Sequence, residues 1–131
     1  MAEPLILLCV DDEPQILSSL QRFCRNNGFL MHAATSASDA LDLLKKQTVS
    51  VILSDFQMPQ MNGLDFLRIV KTLHPHIPGI ILSGYADLPV VSQALGNGEI
   101  FGFVAKPWDR GELATLIAAA ARRSRQAPAK E

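Results

Sequence analysis

Residues 49–63, VSVILSDFQMPQMNG, constrain this chain more than any other stretch. Val49, Val51, Ile52 and Leu53 form an apolar, β-branched run of strand length, without the alternation of a half-exposed strand. The run stops at Ser54-Asp55, and Met58-Pro59 and Asn62-Gly63 cannot continue a strand. A carboxylate is thereby placed at the carboxyl end of a buried strand, the rim where open α/β sheets carry their chemistry. By itself Asp55 reads rather as an Asp that caps the next turn.

Three further runs end in the same way. Leu5–Val10 ends in Asp11-Asp12-Glu13, Ile80–Leu82 in Ser83-Gly84, and Phe101–Ala105 in Lys106-Pro107. Carboxylates, a hydroxyl and an ammonium are thus delivered to what should be one sheet edge, which favours a functional reading of Asp55.

Helical patterns separate the runs. Pro14 suits a first turn, Ile16, Leu17, Leu20, Phe23 and Cys24 recur at helical spacing, and Asn27-Gly28 ends that helix. Phe29–Ala34 is a weaker, edge-type strand. Ser36 caps a second helix with Asp39 three residues on, and Ala40, Leu41, Leu43 and Leu44 form its stripe. Leu64, Phe66, Leu67, Val70 and Leu73 mark a third helix, closed before Pro75. Asp87 is expected to cap a short fourth helix with Pro89 in its first turn, ended by Gly96-Asn97-Gly98. Asp109 caps the last, which carries Leu113, Leu116, Ile117 and Ala120. Five strand–helix repeats imply a doubly wound parallel (βα)5 sheet of the α/β class with right-handed connections. With strand two at an edge, an order of 2-1-3-4-5 would bring the ends of strands one and three together at a switch point. Residues 1–121 form the domain, and 122–131 read as a polar tail or linker.

Composition narrows the partners. A net charge of −1 leaves no electrostatic footprint for nucleic acid. No basic n-region precedes the first apolar run, which is far short of the ~20 residues of a membrane span. The expectation is a cytoplasmic protein with no membrane partner. Cys9 and Cys24 fall on core positions.

Three carboxylates at one point repel, so either one holds a proton or a cation neutralises them. Carboxylate oxygens, a backbone carbonyl and water suit a hard cation such as Mg²⁺. A cation, an ammonium and a hydroxyl around one carboxylate describe a site for a phosphoryl group on that carboxylate, and Asp can be the nucleophile in phosphoryl transfer.

VDDEP, SDFQMPQMNG, ILSGYA and FVAKPWD, spread in order over about residues 5–121, resemble the blocks of the receiver domain of two-component response regulators. The resemblance implies a flavodoxin-like fold with the same strand order. It also implies a switch that takes a phosphoryl group from the phosphohistidine of a sensor histidine kinase or phosphotransfer protein. Asp55 matches the phosphoacceptor, Asp12 the direct ligand of Mg²⁺ (or Mn²⁺), Asp11 the acid acting through metal-bound water, and Gln57 the backbone-carbonyl ligand. Ser83 matches the hydroxyl that follows the phosphoryl group and Lys106 the lysine that pairs with it. The Lys106-Pro107 bond is cis in such domains. Phe103 stands at the aromatic switch position, where the relevant surface is the fourth helix, last strand and last helix, residues 87–121. That face is the expected contact for an output domain, a partner protein or a second copy.

Tyr85, two residues after Ser83, has two readings: a cover that lengthens the phosphoryl lifetime, or a surface aromatic. Trp108 is similar to the residue found in receivers that precede larger output domains. Lys106→Ala is expected to cost little stability, because an ammonium at the rim can stay solvated, while weakening the response to phosphorylation. Two alternatives remain at this level. One is an Asp-nucleophile phosphatase of haloacid dehalogenase type, although its two acids stand two apart after the first strand, whereas Asp11 and Asp12 are adjacent. The other is a receiver-like interaction module that is never phosphorylated.

Overall fold

In a computed structural model of the chain, residues 4–126 are described, the side chains of Tyr85, Arg125 and Gln126 excepted. Five parallel strands, β1 (Ile6–Val10), β2 (Leu30–Ala34), β3 (Val51–Asp55), β4 (Gly79–Ser83) and β5 (Gly102–Ala105), form one sheet in the order β2-β1-β3-β4-β5. The helices between and after them are α1 (Pro14–Asn27), α2 (Ala37–Lys46), α3 (Gly63–Leu73), α4 (Leu88–Gly96) and α5 (Arg110–Gln126), with a 3₁₀ turn at Tyr85–Asp87. The expected α/β flavodoxin-like topology is the one found.

The period of two along each strand divides the core. Leu7, Cys9, Val51, Leu53, Ile80, Leu82 and Val104 pack with α1 and α5 residues such as Leu20, Phe23, Leu113 and Ile117. Leu8, Val10, Ile52 and Ile81 pack on the opposite face with residues from α2, α3 and α4, including Ala40, Phe66 and Val91. Both faces are covered, which is why β3 and β4 are buried at every residue and read as unbroken apolar runs. Edge strand β2 is buried only at Ala34, and Leu30 stays 53% exposed.

Local chemistry sets the helix ends. Pro14 occupies the first turn of α1, and Gly28 closes it in the left-handed conformation, φ 75°. Ser36 accepts the Asp39 amide at 3.1 Å, and Asp109 accepts the Glu112 amide at 2.8 Å. Asp87 departs from expectation: it precedes α4 but makes no side-chain cap. It is the last residue of the 3₁₀ turn, with φ −94° and ψ −5°, whereas a capping side chain needs extended backbone at that residue. α5 continues to Gln126, so the segment from 122 begins as helix; 127–131 lie outside the described residues. Arg is a good helix former and suits a helix C-terminus, and Arg123 also lies 5.7 Å over the Phe101 ring.

Candidate functional site

The strand register carries the chemistry to one rim. Val10 pairs with Ser54 and Ser83 with Ala105, so the last residue of β3 and the residues just beyond β1 and β5 meet at the carboxyl edge. Backbone bonds lock the ends: the Asp11 amide donates to the Ala34 carbonyl at 3.1 Å, the Phe56 amide to Leu82 at 2.9 Å, and the Lys106 amide to Ser83 at 2.9 Å. Asp11, Asp12 and Asp55 converge, each offering a carboxylate oxygen within 4.8 Å of the others. Asp11 is fully buried, Asp55 nearly so, and Asp12 is exposed. Lys106 Nζ lies 2.6 Å from Asp55 Oδ1 and 3.8 Å from Asp11 Oδ2. The Lys106-Pro107 peptide is cis.

Burial raises the Asp55 carboxyl above the ordinary carboxylate range; Lys106 opposes this and Asp12 adds to it. Burial pulls the Lys106 ammonium down, but the hydrogen bond and charge of Asp55, with Asp11 and Glu13, outweigh it and hold the lysine above its usual value. The two partners therefore press in different senses. The 2.6 Å contact is that of an ammonium on a carboxylate, and the ionised pair is the state consistent with it.

Asp11 is the strained member. Its Oδ1 accepts the Glu13 amide at 2.9 Å, but its buried Oδ2 has no hydrogen-bond donor. Burial, then the Asp55 charge, push this carboxyl up to about 6. An orphaned buried carboxylate oxygen inside an acidic cluster is the environment a small divalent cation satisfies, so the residues present fit the Mg²⁺ that the fold family implies.

A pH dependence follows. An acid whose native pKa lies above its unfolded value of 3.8 binds more protons in the native state, so stability falls as pH rises from about 4 through about 6. The slope from one such group is at most about 1.4 kcal/mol per pH unit. Metal-free melting curves of wild type and Asp11→Asn should therefore diverge across that window, the wild type losing more, and saturating Mg²⁺ should lift the wild type at pH 7. A ligand at 100 times its Kd stabilises by about 2.7 kcal/mol. Parallel pH curves, or melting indifferent to Mg²⁺, would contradict this account of the cluster.

Ser83 is fully buried at the end of β4 and donates its hydroxyl to the Gly84 carbonyl at 2.8 Å. Phe103 is half-buried on the α2–α3–α4 side of β5, paired in register with Ile81. Gln57 is exposed in the loop after β3. The Tyr85 backbone belongs to the 3₁₀ turn, while its side chain lies outside those described. Trp108 packs partly buried against the α1–α5 core, and both cysteines are buried on that side.

Sequence reasoning passed over several supports of the site. Asn62 was read only as a breaker, yet its Oδ1 accepts the Asp65 amide at 2.8 Å and caps α3; the Asn-x-x-Asp spacing was the available signal. Gln60 has φ 73°, and the Met61 amide donates to the Pro59 carbonyl at 2.8 Å, a tight three-residue turn that no residue there announces. Ser54 is fully buried and donates to the Asp55 carbonyl at 3.0 Å.

Comparison with known proteins agrees with this geometry. The response regulator receiver domain model matches residues 7–118. The chain is 37% identical over 108 residues to the DNA-binding transcriptional regulator NtrC of Proteus hauseri, covering 82% of this chain and 23% of that protein. It thus spans about a quarter of the curated relatives it matches. Among solved structures, a response regulator receiver domain protein from Clostridium thermocellum superposes with a TM-score of 0.87 at 29% identity, covering 92% of this chain and 97% of the other. The signal receiver domain of an HD domain-containing protein from Pseudomonas fluorescens Pf-5 gives 0.87 at 30% identity, over 95% and 92%. These matches displace the haloacid dehalogenase alternative. No helix among the described residues is long and apolar enough to cross a membrane. Matched over nearly the whole sheet, and carrying its acids and lysine at the switch point of that sheet, this chain belongs to the receiver domains of two-component response regulators.

Proposed function

We propose that the domain is a phosphorylatable switch in which Asp55 takes a phosphoryl group from the phosphohistidine of a sensor histidine kinase or phosphotransfer protein. The observation that carries this reading is the convergence of Asp11, Asp12 and Asp55 within 4.8 Å with Lys106 2.6 Å from Asp55. An Asp55 oxygen forms the bond to phosphorus as the nitrogen–phosphorus bond breaks and the electron pair leaves with the imidazole. Lys106 engages Oδ1, which leaves Oδ2 for attack. Asp12 and Asp55, the Gln57 carbonyl and, through water, Asp11 would hold Mg²⁺, which when bound neutralises charge on the acceptor and the phosphoryl oxygens.

Phosphorylation is read through Ser83 and Phe103. Turning the Ser83 hydroxyl from the Gly84 carbonyl to a phosphoryl oxygen vacates space beside Phe103, and burial of a full aromatic side chain is worth about 1.5–3 kcal/mol. Coupling of about 1–3 kcal/mol is typical of such switches, so one hydrogen bond can decide the population. α4 is a suitable element to respond: it is nine residues long and has no side-chain cap at its N-terminus. The α4–β5–α5 face, residues 87–121, then engages an output domain, a partner protein or a second copy. Tyr85, two residues beyond Ser83, is the proposed modulator of phosphoryl lifetime.

Incubation with acetyl phosphate and Mg²⁺, read by intact mass, tests the reading. One metal-dependent adduct on Asp55 is expected, and a chain that stays unlabelled is instead an interaction module. In Ser83→Ala the adduct should form while amide shift changes across residues 84–105 shrink severalfold. Equal shift changes in both proteins would remove Ser83 from the route.

A further inference from the structure

Gly63 opens α3, and any side chain there would run into the proposed acceptor. Its amide donates to the Phe56 carbonyl at 2.7 Å. A Cβ placed on Gly63 would stand 2.1 Å from the Asp55 main-chain carbonyl oxygen, 3.0 Å from the Asp55 carbonyl carbon and 3.0 Å from Ser54 Oγ. Backbone conformation does not call for glycine here, since the glycines with positive φ among the described residues are Gly28 and Gly98. The need is for space. Gly79 and Gly102 are also tight, but a Cβ there would meet the terminal methyls of Leu67 at 2.7 Å and Leu116 at 2.9 Å, which can swing aside. Gly63 faces backbone.

The same Asp55 carbonyl accepts the Ser54 hydroxyl at 3.0 Å, and that hydroxyl is fully buried. The carbonyl is therefore gripped by Ser54 while the bare Cα of Gly63 closes on it, and the Asp55 carboxylate is held at its other end by Lys106 at 2.6 Å.

We propose that Gly63 and Ser54 are positioning residues: together they form a stop behind Asp55 that sets where its carboxylate stands relative to Lys106, Asp11 and Asp12, and so how fast it is phosphorylated. The inference rests on Asp55 being the acceptor. Moving a Cβ out of a 2.1 Å approach to the carbonyl oxygen requires roughly 1 Å of movement between α3 and the end of β3, a displacement that can cost about 100-fold in rate. Helix propensity works the other way, because Ala is a better helix former than Gly. A slower Gly63→Ala cannot then be ascribed to weakening of α3.

The test compares wild type, Gly63→Ala, Ser54→Ala and Gly79→Ala in the same chain. It measures the rate of adduct formation with acetyl phosphate and Mg²⁺, thermal melting, and Mg²⁺ affinity from the fluorescence of Trp108, the single tryptophan. Gly63→Ala should be slowed about 100-fold and bind Mg²⁺ more weakly, and Ser54→Ala should be slowed severalfold. Gly79→Ala, with its overlap away from the site, should label at the wild-type rate. A folded Gly63→Ala that labels and binds Mg²⁺ as wild type does would overturn the proposal, as would equal slowing of Gly79→Ala. Should Gly63→Ala not fold, wild-type rates in Ser54→Ala overturn it. Wild type that fails to label at all removes the acceptor role of Asp55 and the inference with it, whereas labelled wild type with unaffected variants removes the inference alone.

Discussion

Asp55→Asn will fold as wild type does and will not acquire a phosphoryl group. An amide oxygen is a poor nucleophile, and loss of a covalent nucleophile can cost about 10⁶ in rate. The fold should be spared for reasons visible at the site. Asn has the shape of Asp, its carbonyl oxygen can still accept from Lys106, and burial already biases this position toward a neutral group. Removing one charge also eases repulsion with Asp12. The metal-free variant should therefore melt at or above the wild-type temperature at pH 7. Intact mass after incubation with acetyl phosphate and Mg²⁺ reads the first effect, and melting reads the second. Complete labelling of a folded Asp55→Asn would remove Asp55 as the acceptor.

Lys106→Ala should cost about 3 kcal/mol without metal at pH 7, the lower end of the range for removing one partner of a buried pair. The sequence had suggested a small cost, on the premise of a solvated ammonium. Instead the Lys106 side chain is only 27% exposed and is the cation in contact with two carboxylates, at 2.6 Å and 3.8 Å. Its removal leaves Asp11, Asp12 and Asp55 with like charges and no counterion within the cluster. Two controls identify the cause. The loss should shrink toward pH 5, where the Asp11 carboxyl, pushed up to about 6, takes up a proton, and saturating Mg²⁺ should restore much of it. A loss below about 0.5 kcal/mol at pH 7, the size of an exposed ion pair, would return Lys106 to the solvated role first expected.

The repeat of strand and helix was legible because it depends on local composition. Continuous apolar runs mark strands covered on both faces, and the helical stripes from Ile16 to Cys24 and from Leu64 to Leu73 are confirmed as α1 and α3. The breaks after Val10, Asp55, Ser83 and Ala105 also placed Asp11, Asp12, Asp55, Ser83 and Lys106 at one rim, since parallel strands all end on the same edge. Alternation and turn chemistry act over a few residues, so one chain read in order suffices for them.

Other properties arise only when distant segments approach. The orphaned Oδ2 of Asp11 follows from burial on all sides, and the height of Lys106 above Asp55 follows from the β3–β4–β5 register. Nothing near Asp87 in sequence showed that a 3₁₀ turn would take its capping conformation, nor did Asn62-Gly63 show that its glycine would close on the Asp55 carbonyl. Residue identity and spacing determined which groups reach the rim. The tertiary structure decided their spacing and charge state, because desolvation and steric contact depend on neighbours through space and not along the chain.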